Sequence, residues 1–328
     1  MSSTLQLFLE NDQAIKSAFK WENKLMKTYG ALQCAIKQKS INISSVKKMK
    51  ENIKNQTTIF SYFRGNTLFA LSLDLSLHGI EKQISKHTTS YYKKLKEEGF
   101  LRSRNLPFVA NFLSTELNEE DVEQTMKRAL LIYYQMKDDH LFLTREIDHL
   151  KAIMIAHCRT DIEQITIEMR ECYHYLHKNG VTKGETLQTM SQLLTLSTEP
   201  VGIKCDRMLR YEKLFKERKI KLDVNTLSLL SILALIDKNE EMIVEQVILT
   251  SKELSTHSGF GDLSLGECNR NMFSIAIVCS DYFQTSSQFK ISTAVLFNIQ
   301  NILQFQKLNK SYCFYLAILC ITSLVNFV

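Results

Sequence analysis

Apolar residues recur along the chain at intervals of about forty residues. Five of them serve as anchors, spaced 38, 41, 40 and 40 residues apart: Leu68, Leu106, Ile147, Leu187 and Leu227. Further apolar residues follow three and seven positions after the anchors: Leu71, Val109, Leu150, Met190 and Leu230, then Leu75, Leu113, Met154, Leu194 and Ala234. Offsets of 0, +3 and +7 lie on one stripe of an α-helix. A period of this length predicts an array of helical hairpins.

Other positions of the repeat support the same interpretation. The residue four after the anchor is small in four units, with Lys151 as the exception: Ser72, Ala110, Ser191 and Ser231. A first helix is predicted before the anchored one, and in three units it carries a tyrosine fourteen residues before the anchor: Tyr92, Tyr133 and Tyr173. Gly99 and Gly180 stand in two of the turns, where a left-handed residue ends a helix.

These patterns predict an all-α fold, built as a right-handed HEAT-like α-solenoid or as an irregular helical bundle. Residues 1–45 are predicted to form an N-terminal cap of two helices, with Trp21 in their packing. Ser44 or Ser45 is the expected N-cap of the next helix. Residues 46–240 hold the hairpin repeats, and residues 241–328 form a C-terminal helical region with an irregular loop at 255–267.

Composition supports helix and argues against several classes of protein. Only two prolines and ten glycines occur in 328 residues. The net charge of +6 is mild, and no basic–aromatic motif accompanies it, so nucleic-acid binding is not expected. Eight cysteines without a C-x-x-C pair indicate buried thiols in a reducing compartment, and we expect a cytoplasmic protein without a metal or other cofactor.

The last 17 residues, Tyr312 to Val328, carry no charge. Their length is at the short edge of what spans a bilayer. A buried terminal helix is the expected state, and a C-terminal membrane anchor is the alternative. The N-terminus has no basic region before its short apolar run, so no signal peptide is predicted.

Arginines placed just before the anchors are the first candidate binding residues. Arg64 and Arg102, like Lys183, lie four residues before an anchor, and Arg104 and Arg145 lie two before theirs. Stacked units would align such cations along one edge, where they could bind an acidic protein or peptide. The alternative is that they cover the turns and bind local carbonyl groups.

Two further polar patterns have plain explanations. Six lysines form a basic run against Glu51 alone, and we expect a solvated helix face: Lys37, Lys39, Lys47, Lys48, Lys50 and Lys54. His140, His149 and His157 lack the spacing of metal ligands.

The irregular loop contains Gly259 and Gly261, which flank Phe260. It follows a helix and has no G-K-[ST] motif, so a nucleotide site is not expected. A loop of this kind on a rigid scaffold could still line a ligand pocket, together with Arg64 and His140. No nucleophile motif of the G-x-S-x-G type occurs.

Three segments carry a resemblance to a known family. They are Ser61 to Asn66, Leu95 to Ser103 and His140 to Thr144, joined by Gly259-Phe260-Gly261 and by Asn269 to Phe273. Over about residues 45–290 the chain resembles domain-of-unknown-function family 4003, found mainly in Bacillota. The resemblance implies a cytoplasmic all-helical protein and transfers no catalytic residue.

The sequence thus favours a non-enzymatic scaffold that binds a protein or peptide. The candidate residues are Arg64, Asn66, Arg102, Arg104, His140, Arg145, Gly259 and Gly261. An enzyme or small-ligand binder with a pocket near the 255–267 loop is the alternative, and a C-terminally anchored membrane protein is a third possibility.

Overall fold

The computed structural model describes residues 2–78, 81–140, 143–146, 148–158, 161–223 and 227–285. Within these ranges the regular elements are fourteen helices and no strand, which confirms the all-α prediction. The chain divides into two compact units, one containing Ser3–Ile162 and the other Glu163–Thr293. We call them the N-terminal and the C-terminal unit.

The N-terminal unit contains eight helices: α1 (Ser3–Ala18), α2 (Lys24–Ile36), α3 (Ile43–Gln56), α4 (Asn66–Leu77), α5 (Glu81–Glu97), α6 (Leu106–Glu116), α7 (Glu119–Asp139) and α8 (Asp148–Cys158). Each odd-numbered helix packs against the helix that follows it. The even-numbered helices also pack side by side, α2 on α4, α4 on α6 and α6 on α8. They form an inner row, and this helix-pair packing is that of a helical bundle or solenoid.

Burial separates the two kinds of helix. In α4, ten of twelve residues are buried, whereas α3 buries only Val46, Met49 and Ile53. A helix that is apolar on all sides belongs inside a protein, and one with a single apolar stripe lies at its surface. Gly30 allows the close approach of α2 and α4, because a Cβ there would lie 2.5 Å from the Leu73 side chain.

The C-terminal unit contains α9 (Ile162–Lys178), α10 (Glu185–Leu194), α11 (Val201–Glu217), α12 (Leu229–Leu233), α13 (Glu240–Thr256) and α14 (Glu267–Thr285). Helix α12 packs against α10, α11 and α14, while α13 packs against α11 and α14. The short helix α12 therefore lies at the centre of this unit's packing.

The anchor columns are buried as the period predicts, except that Leu227 is only partly buried and precedes α12 by two residues. Leu68, Leu106 and Leu187 are buried on α4, α6 and α10, and the residues at +3 and +7 are buried in all five units. The anchor Ile147 lies outside the described residues. Lys151, the exception in the small column, is buried too, because its Nζ lies 2.6 Å from Asp148 Oδ1.

Turn glycines adopt the predicted conformation, with φ of +101° at Gly99 and +98° at Gly180. Two other local predictions are wrong. Trp21 is fully exposed in the turn between α1 and α2, so it takes no part in the core. The N-cap of α3 is Asn42, whose Oδ1 accepts from the Ser45 N–H at 3.0 Å.

Among the described residues, no helix has the length and hydropathy needed to cross a bilayer. The uncharged segment 312–328 lies outside those residues.

Candidate functional site

The inner row of the N-terminal unit has two chemically different ends. At one end the C-termini of α2, α4 and α6 meet, as the contacts among Lys37, Asp74, His78 and Glu116 show. These helices are therefore parallel and, at 13, 12 and 11 residues, nearly equal in length. Their N-termini must lie together at the opposite end, about 17–20 Å away.

We call that opposite end the turn edge. It comprises the hairpin turns 19–23, 57–65 and 98–105 and the described part of the turn 140–147. Contacts attach three of these turns to a helix of the next hairpin. Glu22 pairs with Lys50 of α3, and the rings of Phe63 and Tyr92 meet edge to face at 5.1 Å. The Leu101 N–H donates to His149 Nε2 of α8 at 3.2 Å.

The Arg64 side chain forms hydrogen bonds within its own hairpin. Its guanidinium donates to the Lys54 carbonyl at 3.0 Å, and to the hydroxyl and carbonyl of Thr57. These carbonyls are at the C-terminus of α3, where helices lack internal partners for them. Asn66, the next candidate, is the first residue of α4.

Other predicted cations of the turn edge face the solvent. Arg102, Arg104 and Arg145 are all exposed. The Arg145 backbone N–H donates to Asp148 Oδ2 at 2.7 Å, which orders the start of α8. His140 ends α7, with its backbone N–H bonded to the Met136 carbonyl.

A stack of aromatic rings packs next to the turn edge. The His149 ring lies 3.8 Å from that of Tyr133, nearly parallel, and 4.9 Å from that of Phe100. Burial lowers the pKa of His149 to about 4, and Lys137 acts in the same direction. His149 is therefore neutral at neutral pH, as its role of acceptor toward Leu101 requires.

Large apolar side chains project from the same turns. Trp21 is 100% exposed, Phe60 93% and Ile59 73%, and Leu101 is about half exposed. Lone exposed apolar residues are common, but a series of them on neighbouring turns is typical of an interaction site.

The other end of the inner row is a buried polar cluster, formed by Gln33, Lys37, Asp74, His78, Asn111 and Glu116. Lys37 Nζ lies 3.2 Å from Asp74 Oδ1 and donates to His78 Nε2 at 2.8 Å. The amides of Gln33 and Asn111 donate to the two oxygens of Asp74, at 2.6 and 2.9 Å. Asp74 is thus the centre of the cluster.

Burial away from solvent is the main cause of the pKa shifts in the cluster. Burial raises the pKa of Asp74 to about 6, although Lys37 opposes the shift. Burial also raises the pKa of Glu116 to about 8, against Lys37 and assisted by Asp74. Glu116 is the last residue of α6, and the negative end of a helix further disfavours a carboxylate there. The pKa of His78 is lowered well below its usual value by burial and by Lys37.

Sequence reasoning missed this cluster. Lys37 was expected on a solvated face, but its side chain is 1% exposed, so that prediction is wrong at this position. Lys39 of the same run donates to the Leu77 carbonyl at 2.6 Å. The available signal was Asp74 itself, a single carboxylate in the otherwise uncharged helix α4, because such a group needs a buried partner.

The irregular loop belongs to the C-terminal unit. Gly259 has a φ of +91°, Phe260 is buried, and the Phe260 carbonyl accepts from Arg270 at 3.1 Å. Gly261 accepts from the Ser264 and Leu265 N–H groups at 3.0 Å. The predicted pocket that joins this loop to Arg64 and His140 combines residues of both units, and it stays a prediction.

Within the part of the chain that the structure describes, no three His, Cys, Asp or Glu side chains are grouped so as to hold a metal ion.

Comparison with known proteins assigns a family to the chain. The model of the family described as "Protein of unknown function (DUF4003)" matches residues 11–308. The chain is similar to "Uncharacterized protein YeaA" of Bacillus subtilis, with 27% identity over 152 residues. That alignment covers 46% of this chain and 45% of the relative, so it spans less than half of either protein. No solved structure matches.

Proposed function

Since the chain belongs to the DUF4003 family, whose function is unknown, we propose from its own surface that it is a scaffold for an acidic protein segment, bound at the turn edge. The observation that carries the proposal is the exposure of Trp21, Phe60 and Ile59 on adjacent turns of the inner row. Trp and Arg are the residue types that contribute most to binding energy at protein interfaces.

Ordering of the turns supports this role. Each of three turns is attached to a helix of the next hairpin, by Glu22–Lys50, by Phe63–Tyr92 and by the hydrogen bond between Leu101 and His149. A surface ordered before binding loses little conformational entropy when the partner docks. The exposed aromatic rings can then contact a partner without rearrangement of the helices.

Charge supports an acidic partner. Arg102, Arg104, Arg145 and Lys20 are exposed on the turns, against the carboxylates of Glu98 and Glu146, whereas Glu22 is neutralised by Lys50. A cationic edge attracts an anionic segment and speeds its association, and this effect weakens as salt is added. The bound segment should therefore combine Asp or Glu residues with an apolar side chain that contacts Trp21 or Phe60.

The test is a selection of random displayed peptides on the immobilised full chain, followed by titration of the selected peptides in solution. Trp21 is the only tryptophan of the chain and is fully exposed, so binding should shift its emission to shorter wavelength. We expect the selected peptides to be acidic and to bind more weakly at high salt.

Variants test whether the peptide binds at the turn edge or elsewhere on the surface. Phe60→Ala and Arg102→Glu should each weaken binding about tenfold, equivalent to ~1.4 kcal/mol. Leu249→Ala and Lys213→Glu remove an exposed apolar side chain and an exposed cation from the C-terminal unit, and they should leave binding unchanged. Peptides without acidic residues, or equal losses in the control variants, would refute the proposal.

A further inference from the structure

A cleft of about 500 Å³ opens in the C-terminal unit, between the end of α11, the outer face of α13 and the start of α14. Its volume is within the range of small-molecule binding pockets. Four cations line it: Arg218, Lys219, Lys252 and Arg270. The residues Ser251, Ser255 and Asn271 add hydroxyl and amide groups, and Val247, Ile248 and Ile220 add apolar surface.

The cations of the cleft outnumber its carboxylates, which are Glu245 and Glu267. Glu245 Oε2 lies 3.3 Å from Arg218, and Glu267 Oε2 lies 2.8 Å from Lys221, outside the lining. Both carboxylates are therefore paired. Arg218 and Glu245 are each about half exposed, so water screens their attraction and Arg218 can exchange partners at little cost.

The inner wall of the cleft is a connected hydrogen bond network. Arg270 is buried, and its guanidinium donates to the Phe260 carbonyl at 3.1 Å, to Asp262 at 2.6 Å and to Ser251 Oγ at 3.3 Å. Ser251 Oγ donates to Asn271 Oδ1 at 2.7 Å. The irregular loop is thereby attached to α13 and α14, and the wall is formed before any ligand arrives.

Lys219 has an unusual backbone conformation. Its φ is +55°, in the left-handed region that glycine usually occupies after a helix. The Ile220 N–H bonds to the Phe215 carbonyl at 2.9 Å, which closes the end of α11 around this residue. A lysine costs about 1 kcal/mol more than glycine in such a place. The Lys219 side chain is the fourth cation that lines the cleft.

From this arrangement we infer that the cleft binds a small phosphate ester. Arg218, Lys219 and Lys252 are three exposed cations that line the cleft, and guanidinium and ammonium groups are the usual partners of phosphate. The apolar side chains of Val247, Ile248 and Ile220 suit the carbon skeleton of the ester. This site is distinct from the turn edge, which lies in the other unit.

The experiment is isothermal titration of the full chain with ribose 5-phosphate, and with succinate as a dicarboxylate of similar charge. Ribose 5-phosphate is expected to bind at one site and succinate at least tenfold more weakly. Lys252→Gln should weaken the phosphate ester about tenfold. Lys213→Gln, which removes an exposed cation of α11 outside the cleft, should change its affinity less than twofold.

Lys219→Gly separates binding from a structural role. If Lys219 serves the ligand, the variant should bind ribose 5-phosphate several-fold more weakly while its thermal midpoint rises, because glycine relieves the left-handed backbone. Absence of saturable binding, tighter binding of succinate, or equal losses in Lys252→Gln and Lys213→Gln would overturn the inference. Peptide binding at the turn edge should be unchanged in all three variants, so the two proposals fail separately.

Discussion

Replacing Glu116 by glutamine should remove a large part of the pH dependence of stability in the N-terminal unit. Glu116 is the last residue of α6, its side chain is 1% exposed, and its Oε1 has no hydrogen bond partner among the described residues. Glutamine has the same shape and carries no charge at any pH. The variant therefore changes the titration of this position and little else.

The magnitude follows from linkage between proton binding and folding. The pKa of Glu116 is about 8 in the folded protein, against 4.5 for an unperturbed carboxyl, so the folded state binds the proton more tightly. The stability from this proton is fully present below about pH 4.5 and is lost as the pH rises through about 8. Between pH 6 and pH 9 the loss amounts to about 2–3 kcal/mol. Asp74, with a pKa of about 6, adds a smaller change near pH 6 in the same direction.

Urea denaturation followed by circular dichroism, at pH 6 and at pH 9, measures the effect. Hydrogen exchange of peptides from α4 and α6 assigns it to the N-terminal unit. The wild-type protein should lose about 2–3 kcal/mol more than Glu116→Gln on going from pH 6 to pH 9. Lys37, His78 and Asp74 surround this carboxyl, and none of them is altered. An equal pH dependence in both proteins would refute the assignment of a raised pKa to Glu116.

Two further predictions concern the same unit and its turns. Lys37→Met leaves the buried Asp74 carboxylate without its cation and should cost about 3–5 kcal/mol in urea denaturation. The double variant with Asp74→Asn removes the buried charge and keeps an acceptor oxygen for a neighbouring amide, so it should recover part of that loss. A double variant no more stable than Lys37→Met would contradict the pairing. Gly99→Ala should cost about 1 kcal/mol, because φ is +101° and no atom lies within 4 Å of the added Cβ. Gly202 lies inside α11, and a Cβ there is equally uncrowded, so Gly202→Ala should stabilise the protein by up to about 1 kcal/mol. Because neither variant introduces a steric clash, opposite changes in thermal stability would show that the cost at Gly99 is backbone strain.

Most of the helical framework could be predicted from the chain. The residues at 0, +3 and +7 are buried because a helix repeats every 3.6 residues, so a regular apolar spacing defines one face. Gly99 and Gly180 were predictable as helix ends because left-handed φ favours glycine. The turn that carries Arg102 was predictable in the same way, since a break between two periodic segments must be a connection.

The candidate sites were predicted only in part. The arginines of the turn edge were found from their offset to the anchors, but the apolar half of that edge was missed, since Trp21 was expected inside. An exposed tryptophan and a buried one look alike in sequence. The direction of a side chain in a turn depends on the path of the whole turn rather than on a period.

The cleft of the C-terminal unit was not predicted, and the sequence singled out only the neighbouring loop 255–267 as irregular. Its cations Arg218, Lys252 and Arg270 come from the end of α11, from α13 and from α14. No local pattern links residues so far apart in the chain. Their proximity results from the angles at which three helices pack.

The sequence by itself determined the all-α class and which face of the anchored helices is apolar, because these properties depend on neighbours within a few residues. The tertiary structure alone decided that Lys37 pairs with Asp74, that Lys151 is buried beside Asp148, and that Trp21 faces the solvent. The charges on Lys37 and Asp74 meet across 37 residues of chain, and only the register of α2 against α4 brings them within 3.2 Å. A charged residue is stable in a core only where such a partner is present, and that partner is supplied by packing rather than by local sequence.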